Sequence, residues 1–203
     1  MSAVILTDEQ REALQEITNV GMGQAGASIA TILNEFVHLS VPKIFILRAD
    51  EISPSIVSLV GDAEVSAVRQ AFHGAFRGEA IVIYRNQSHT DIADLMGYDP
   101  DVDTVEEYEL ILDVTNILVG ACLGGVAEQI RADIGFSAPS IMAEHIPAGR
   151  LISPDEVGSA WALFVEVNFA LEGRSFACHL IALMPEEEIL AVGKALDWFM
   201  ETL

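Results

Sequence analysis

The side chains best suited to chemistry form a carboxylate and carboxamide pair that occurs twice. Glu16 and Asn19 lie about one helical turn apart, and Asp113 and Asn116 repeat the spacing. An asparagine cannot take up a proton, but it offers a donor and an acceptor together, which suits it to holding a water in line with a phosphorus atom. A glutamine plays this role in GTPases. Such a pair on an exposed helix face is usually only solvated, so a second observation is needed.

That second observation is an internal repeat. Residues 7–44 align without a gap on residues 104–141, at a constant spacing of 97 residues. Ten residues recur 97 positions later: Thr7, Glu9, Glu12, Thr18, Asn19, Gly23, Ala30, Ser40, Pro42 and Ile44. Because the pair recurs in the same register, a functional role is favoured over a solvated surface. We predict a single domain, 1–203, made of two repeats, about 1–98 and 104–203.

Each repeat is predicted to open with a long amphipathic helix. Thr7 with Gln10, and Thr104 with Glu107, have the spacing of a capping box. The predicted core side of the first helix carries Leu14, Ile17, Ala25 and Ile32. The opposite side carries Glu12, Glu16 and Asn19, and its counterpart in the second helix carries Glu109, Asp113 and Asn116.

Beyond each asparagine the polar side of the helix lacks bulky residues. It continues through Gly23, Ala27 and Ala30 in the first helix and through Gly120, Gly124 and Ala127 in the second. A helical glycine costs about 1 kcal/mol relative to alanine. The glycines of these helices therefore indicate close packing or the docking of a partner.

Strands are predicted after each long helix. Pro42 and Pro139 introduce short apolar runs, and residues 71–84 and 161–184 each read as two strands around a glycine, Gly78 or Gly173. Each half closes with a helix, the first capped by Ser88 and the second with Pro185 at its N1 position. We predict an α+β fold, a tandem repeat of two helix-strands-helix units with pseudo-two-fold symmetry that share one sheet and core. Residues 54–66 and 145–158 are left unassigned.

The composition excludes several classes of function. The formal charge of -21 disfavours nucleic acid and anionic membrane surfaces. The apolar runs read as too short for a membrane span, and no basic segment precedes the apolar N-terminal residues. Cys122 and Cys178 share no redox or metal spacing. We therefore expect a cytoplasmic protein with no cofactor or metal of its own.

One competing motif is the run GMGQAG at 21–26, which satisfies G-x-G-x-x-G. A dinucleotide site requires a buried strand before that motif, whereas a charged amphipathic segment precedes it here. The strand-like run that ends at Asp50 keeps the dinucleotide hypothesis open, as a distant third choice. Zinc, P-loop and calcium-loop patterns are absent from the sequence.

The motif Glu-x-x-Asn followed by 22 residues and Pro resembles the signature of the CheC, CheX and FliY phosphatases of bacterial chemotaxis. Two copies of the motif make the sequence most similar to CheC. The resemblance implies hydrolysis of the phosphoaspartate of a CheY-type response regulator. It also implies that Asn19 and Asn116 position the attacking water, that Glu16 and Asp113 engage the partner's active site, and that Mg²⁺ belongs to the partner.

The sequence departs from that family at two points. Glu12 and Glu109 stand where the family has Asp or Ser, and Asp113 replaces the usual glutamate. Because Asp113 is one methylene shorter, we expect the second site to be the weaker. The resemblance names the receptor deamidase CheD as a further candidate partner, without a sequence feature that decides it. The main alternative is a non-catalytic adaptor of response regulators or a flagellar-switch component with the same fold.

Overall fold

The computed structural model describes residues 6–33, 36–85, 104–157, 161–172 and 177–202. These residues form an α+β fold on a single antiparallel sheet, as predicted. The first half contains α1 (Asp8–Leu33), β1 (Val37–Leu39), β2 (Lys43–Arg48), α2 (Ala49–Val60), β3 (Glu64–Gly74) and β4 (Gly78–Arg85). The second half contains α3 (Thr104–Gln129), β5 (Ile134–Phe136), β6 (Ser140–Pro147), two 3-10 turns (Ala148–Arg150 and Pro154–Glu156), β7 (Trp161–Leu171), β8 (Ala177–Pro185) and α4 (Glu186–Glu201).

The strand order carries the predicted pseudo-two-fold symmetry. In the described part of the chain the order is β1-β7-β8-β4-β3-β5, with β2 also paired to β7 and β6 to β3. If β1 is exchanged with β5, β3 with β7 and β4 with β8, the same order is read in reverse. β3 (Glu64–Gly74) and β7 (Trp161–Leu171) keep the spacing of 97 residues at both ends. β4 and β8 pair at the centre, which joins the two halves in one sheet.

Helices pack on both faces of the sheet. α1 and α3 share one face with α4, and α2 and the 3-10 turns cover the other. The first face buries, among others, Ile29, Val82, Leu118, Val119, Val167, Leu180 and Ile189. The second buries, among others, Ile52, Ile56, Ile81, Leu151, Phe164 and Ile181. The alternation of buried residues along β3, β4, β7 and β8 supplies both layers.

The start and the core side of α1 are confirmed. The backbone N–H of Gln10 donates to Thr7 Oγ1 at 3.1 Å, and the backbone N–H of Thr7 donates to Gln10 Oε1 at 2.9 Å. Leu14, Ile17 and Ala25 are buried. α3 starts at Thr104, but the side chains of residues 104–107 lie outside the described residues, as does that of Ile32. The second capping box therefore stays a prediction.

Two positional predictions are wrong. Gly78 is the first residue of β4 rather than part of the turn, and a Cβ there would lie 2.3 Å from the Leu183 carbonyl oxygen of β8. Pro185 ends β8 and is the N-cap of α4, because its ψ of 164° continues the strand. Glu186, Glu187 and Glu188 occupy the first turn of α4. Gly173, the helix predicted after Ser88 and residues 99–103 between the two repeats lie outside the described residues.

The two unassigned segments hold related elements. Residues 54–66 contain the end of α2 and the start of β3, and residues 145–158 contain the 3-10 turns. Ile52 and Ile56 of α2 pack in the same apolar layer as Leu151 and Ile152 beside those turns. The turns therefore take the place of α2 in the second half.

α3 is more apolar than the sequence reading allowed. Its segment Ile111–Gln129 has a mean hydropathy of 1.5 and is long and apolar enough to cross a membrane. The expectation that the apolar runs are too short is therefore wrong for this helix. In the fold Val114, Leu118 and Cys122 are buried between α1 and the sheet, which accounts for their apolar character.

Candidate functional site

α1 exposes the first carboxylate and carboxamide pair. Glu12, Glu16 and Asn19 are exposed, whereas Leu14 and Ile17 on the other side are buried. The buried side fixes the rotation of the helix on the sheet, because a turn about its axis would expose Ile17. The pair is therefore held at the surface by the apolar period of the same helix.

The amide of Asn19 is connected to the loop before β2. Gln15 Nε2 donates to Asn19 Oδ1 at 3.4 Å and to the Pro42 carbonyl oxygen at 2.9 Å. Pro42 is itself buried. Gln15 therefore links the Asn19 side chain to the backbone of the loop at Pro42.

α3 exposes the second pair in the same way. Asp113 and Asn116 are exposed, and Val114 and Thr115 between them are buried. Gln70 Nε2 donates to Asn116 Oδ1 at 2.8 Å and to the Ser137 carbonyl oxygen at 2.8 Å. In both asparagines Oδ1 thus accepts a hydrogen bond from a glutamine. The same glutamine amide also donates to a backbone carbonyl in the loop that leads to β2 or β6.

The two glutamines occupy unrelated positions in the repeat. Gln15 lies on α1, and its counterpart 97 positions later is Leu112. Gln70 lies on β3, and its counterpart is Val167. The sequence reading missed both, because neither glutamine recurs and only the fold brings them to the asparagines.

A groove of about 460 Å³ runs beside Asn19. One wall is the α1 side predicted to lack bulk, and the other is the segment that leads through β1 to Pro42. Phe36 and Val41 in that segment are 76% and 69% exposed. The groove therefore has an apolar lining next to a polar pair.

The glycines of these helices fall into two groups by what surrounds them. A Cβ on Gly21 would lie 2.7 Å from the Val126 backbone N, so this glycine permits the close crossing of α1 and α3. A Cβ on Gly23, Gly120 or Gly124 would meet nothing within 4 Å. Those three glycines are not explained by packing within the described residues. Ala127 departs from the predicted stripe because it is buried, at 5% exposure.

The dinucleotide hypothesis is wrong. Gly21, Gly23 and Gly26 all lie inside α1, which starts at Asp8, and no strand leads into them. Asp50 lies in the first turn of α2, where its carboxylate pairs with the Arg48 guanidinium at 3.0 Å. The glycines therefore cannot form the strand-to-helix turn that holds a pyrophosphate.

The charges at both sites are available for a partner. Among the described residues, the carboxylates of Glu12, Glu16, Glu109 and Asp113 form no ion pair or hydrogen bond. The described ranges contain no group of three or more His, Cys, Asp or Glu side chains that could hold a metal ion. Each site can accept a cation and hold a water or a polar group of a partner.

Known proteins of similar sequence carry phosphatase names. The chain is 26% identical over 152 residues to the CheY-P phosphatase CheC of Bacillus subtilis, with 70% of each protein covered. It is 22% identical over 177 residues to the flagellar motor switch phosphatase FliY of the same species. That match covers 82% of this chain and 43% of FliY, less than half of that relative's length. No family model matches the chain.

Solved structures of FliY and FliM share this fold. Thermotoga maritima FliY has a TM-score of 0.69 at 17% identity and covers 98% of this chain and 100% of its own. The FliM middle domain of Helicobacter pylori has a TM-score of 0.61 at 10% identity, covering 94% and 99%. At such identities the structural likeness shows the fold alone.

The fold places the chain among α+β proteins that share the architecture of Thermotoga maritima FliY. Because the matches to CheC and FliY cover most of this chain, its sequence is related to those two proteins. The resemblance drawn from the sequence is thereby confirmed.

Proposed function

We propose that this protein is a phosphatase that hydrolyses the phosphoaspartate of a CheY-type response regulator. The observation that carries the proposal is the exposed asparagine that occurs in both helices, each with its Oδ1 bound to a glutamine amide. The names of two relatives, CheY-P phosphatase and flagellar motor switch phosphatase, support the substrate class.

In this mechanism the asparagine positions the water. Oδ1 has two lone pairs, and the glutamine N–H occupies one of them. The second lone pair accepts a hydrogen bond from the attacking water, which aligns the water oxygen with the phosphorus atom. The water oxygen bonds to phosphorus as the bond from phosphorus to the aspartyl oxygen breaks, which yields inorganic phosphate and a free carboxylate.

Glu16 and Asp113 hold the partner rather than react. Each carboxylate lies one turn before the asparagine and is free of ion pairs among the described residues. A lysine of the receiver's active site is the matching group. This chain carries a net charge of -21, so the cation and the Mg²⁺ that neutralise the phosphoryl group come from the partner.

The two candidate functions have opposite effects on the partner. The name of the relative FliY, a flagellar motor switch phosphatase, favours a switch component or response-regulator adaptor of the same fold as the second candidate. A phosphatase shortens the lifetime of a phosphorylated receiver, whereas an adaptor that binds the phosphorylated form protects it.

The test follows the decay of a phosphorylated receiver domain at increasing concentrations of this protein. A faster decay that continues over many turnovers supports the phosphatase. A decay that slows while the receiver binds supports the adaptor and contradicts the phosphatase.

A cytoplasmic location follows from this proposal, because its substrate is a soluble receiver domain. CheD stays an expectation of the family resemblance. Binding of purified CheD to this chain, measured by calorimetry, tests it directly.

A further inference from the structure

Gln70 is a buried polar residue that serves the second site. Its side chain lies on β3 and the residue is 1% exposed. Both N–H groups of its amide are used, one on Asn116 Oδ1 and one on the Ser137 carbonyl oxygen, each at 2.8 Å. Its Oε1 is buried and accepts no hydrogen bond from a described residue.

The fold does not need a polar residue at this position. In the other half of the sheet the same position of β7 is Val167, which is fully buried and packs in the apolar core. An acceptor buried without a donor lowers stability. An apolar residue of similar size avoids that cost, so the glutamine requires a reason other than folding.

We propose that Gln70 is the positioning residue that fixes the carboxamide of Asn116 for water attack. This inference rests on the proposed phosphatase function. The Ser137 carbonyl holds the Gln70 amide in one orientation, and the second N–H then holds Asn116 Oδ1. Because Gln70 is donor to Oδ1, the asparagine cannot flip its amide without losing this hydrogen bond.

The first site has a looser version of this contact. Gln15 reaches Asn19 at 3.4 Å, and the hydrogen bond is exposed, so water competes for both groups. Gln70 reaches Asn116 at 2.8 Å from a buried position on the sheet. The second site therefore has the more rigid amide, although its Asp113 is the shorter carboxylate.

The test uses the Asn19→Ala variant, in which the second site alone can act. Adding Gln70→Met keeps the volume and removes the donor. We expect kcat to fall about tenfold, equivalent to about 1.4 kcal/mol of activation free energy. We expect KM for the phosphorylated receiver to stay within about twofold, because the hydrogen bond acts on the asparagine and not on docking. We also expect the urea midpoint not to fall.

The matched control is Gln24→Met in the same background. Gln24 is an exposed carboxamide on α1 whose hydrogen bond is to Gln129. It should leave kcat unchanged. An unchanged kcat in Gln70→Met, or a loss of rate that follows a loss of stability, would overturn the proposal.

A readout without activity separates this inference from the phosphatase itself. The side-chain ¹⁵N–¹H₂ heteronuclear NOE of Asn116 should be high in the unsubstituted protein and fall in Gln70→Met. Equal NOE values would overturn the positioning role. Activity that survives Asn116→Ala in the Asn19→Ala background would instead overturn the proposed water-positioning mechanism, whatever the NOE shows.

Discussion

A matched pair of glycine substitutions in α1 tests the separation of packing and docking glycines. Gly21→Ala places a methyl 2.7 to 2.9 Å from backbone atoms of Gly125 and Val126, which cannot rotate away. Gly23→Ala places the same methyl in open space, with nothing within 4 Å. Both substitutions lie in the interior of one helix, so the propensity gain is the same.

The expected difference in stability reflects packing alone, because the gain in helix propensity is the same in both variants. Each alanine gains about 1 kcal/mol of helix propensity. Gly21→Ala must also push α1 and α3 apart by some tenths of an ångström, and overpacking of this kind costs about 1–3 kcal/mol. We therefore expect Gly23→Ala to be the more stable variant by about 1–3 kcal/mol and to exceed the unsubstituted protein.

Urea unfolding followed by far-UV circular dichroism measures the difference, with the midpoint and slope fitted for each variant. Equal midpoints for the two variants would refute the close helix crossing at Gly21. If Gly23 faces a docked receiver, Gly23→Ala will also raise KM in the phosphatase assay while it raises stability. A lower KM would contradict the docking role of this open surface.

Burial raises the pKa of the Cys122 and Cys178 thiols. The native protein therefore keeps both thiols protonated at pH values at which they ionise in the unfolded chain. The free energy of unfolding should therefore fall above about pH 8.5, by up to about 1.4 kcal/mol per pH unit for each thiol, which urea titrations at pH 8 and 9.5 can measure. Tyr84→Phe removes the buried 2.7 Å hydrogen bond to Thr115 and should cost about 1–3 kcal/mol in the same assay; no loss would contradict it. Asp113→Glu restores the longer carboxylate and should speed the second site by up to about fivefold, as exposed ion pairs allow; a slower rate would contradict it.

The sequence was sufficient where a period or a recurrence carried the information. The helical period placed Leu14 and Ile17 in the core and Glu16 and Asn19 at the surface, and the structure confirms that placement. The spacing of 97 residues predicted the symmetric sheet, because the same local pattern dictates the same element twice.

The sequence was insufficient where packing or interruption decided the local structure. The sequence pattern does not assign residues 54–60 of α2, where Pro54 and three serines of the helix interrupt the apolar residues, although Ile52 and Ile56 are buried. Gln70 could not be found, because it lies 46 residues from Asn116 and has no polar counterpart in the repeat. Contacts of this kind depend on the strand register of the folded sheet.

The most direct test of the central claim is phosphate release from a phosphorylated CheY-type receiver, with this protein at catalytic concentration. The unsubstituted protein is compared with the Asn19→Ala/Asn116→Ala double variant and with Gln24→Ala as a control for the loss of an exposed carboxamide on α1. We expect rapid release by the unsubstituted protein and by the control variant, and none by the double variant. Release by the double variant at the rate of the unsubstituted protein would contradict the claim that these asparagines position the attacking water.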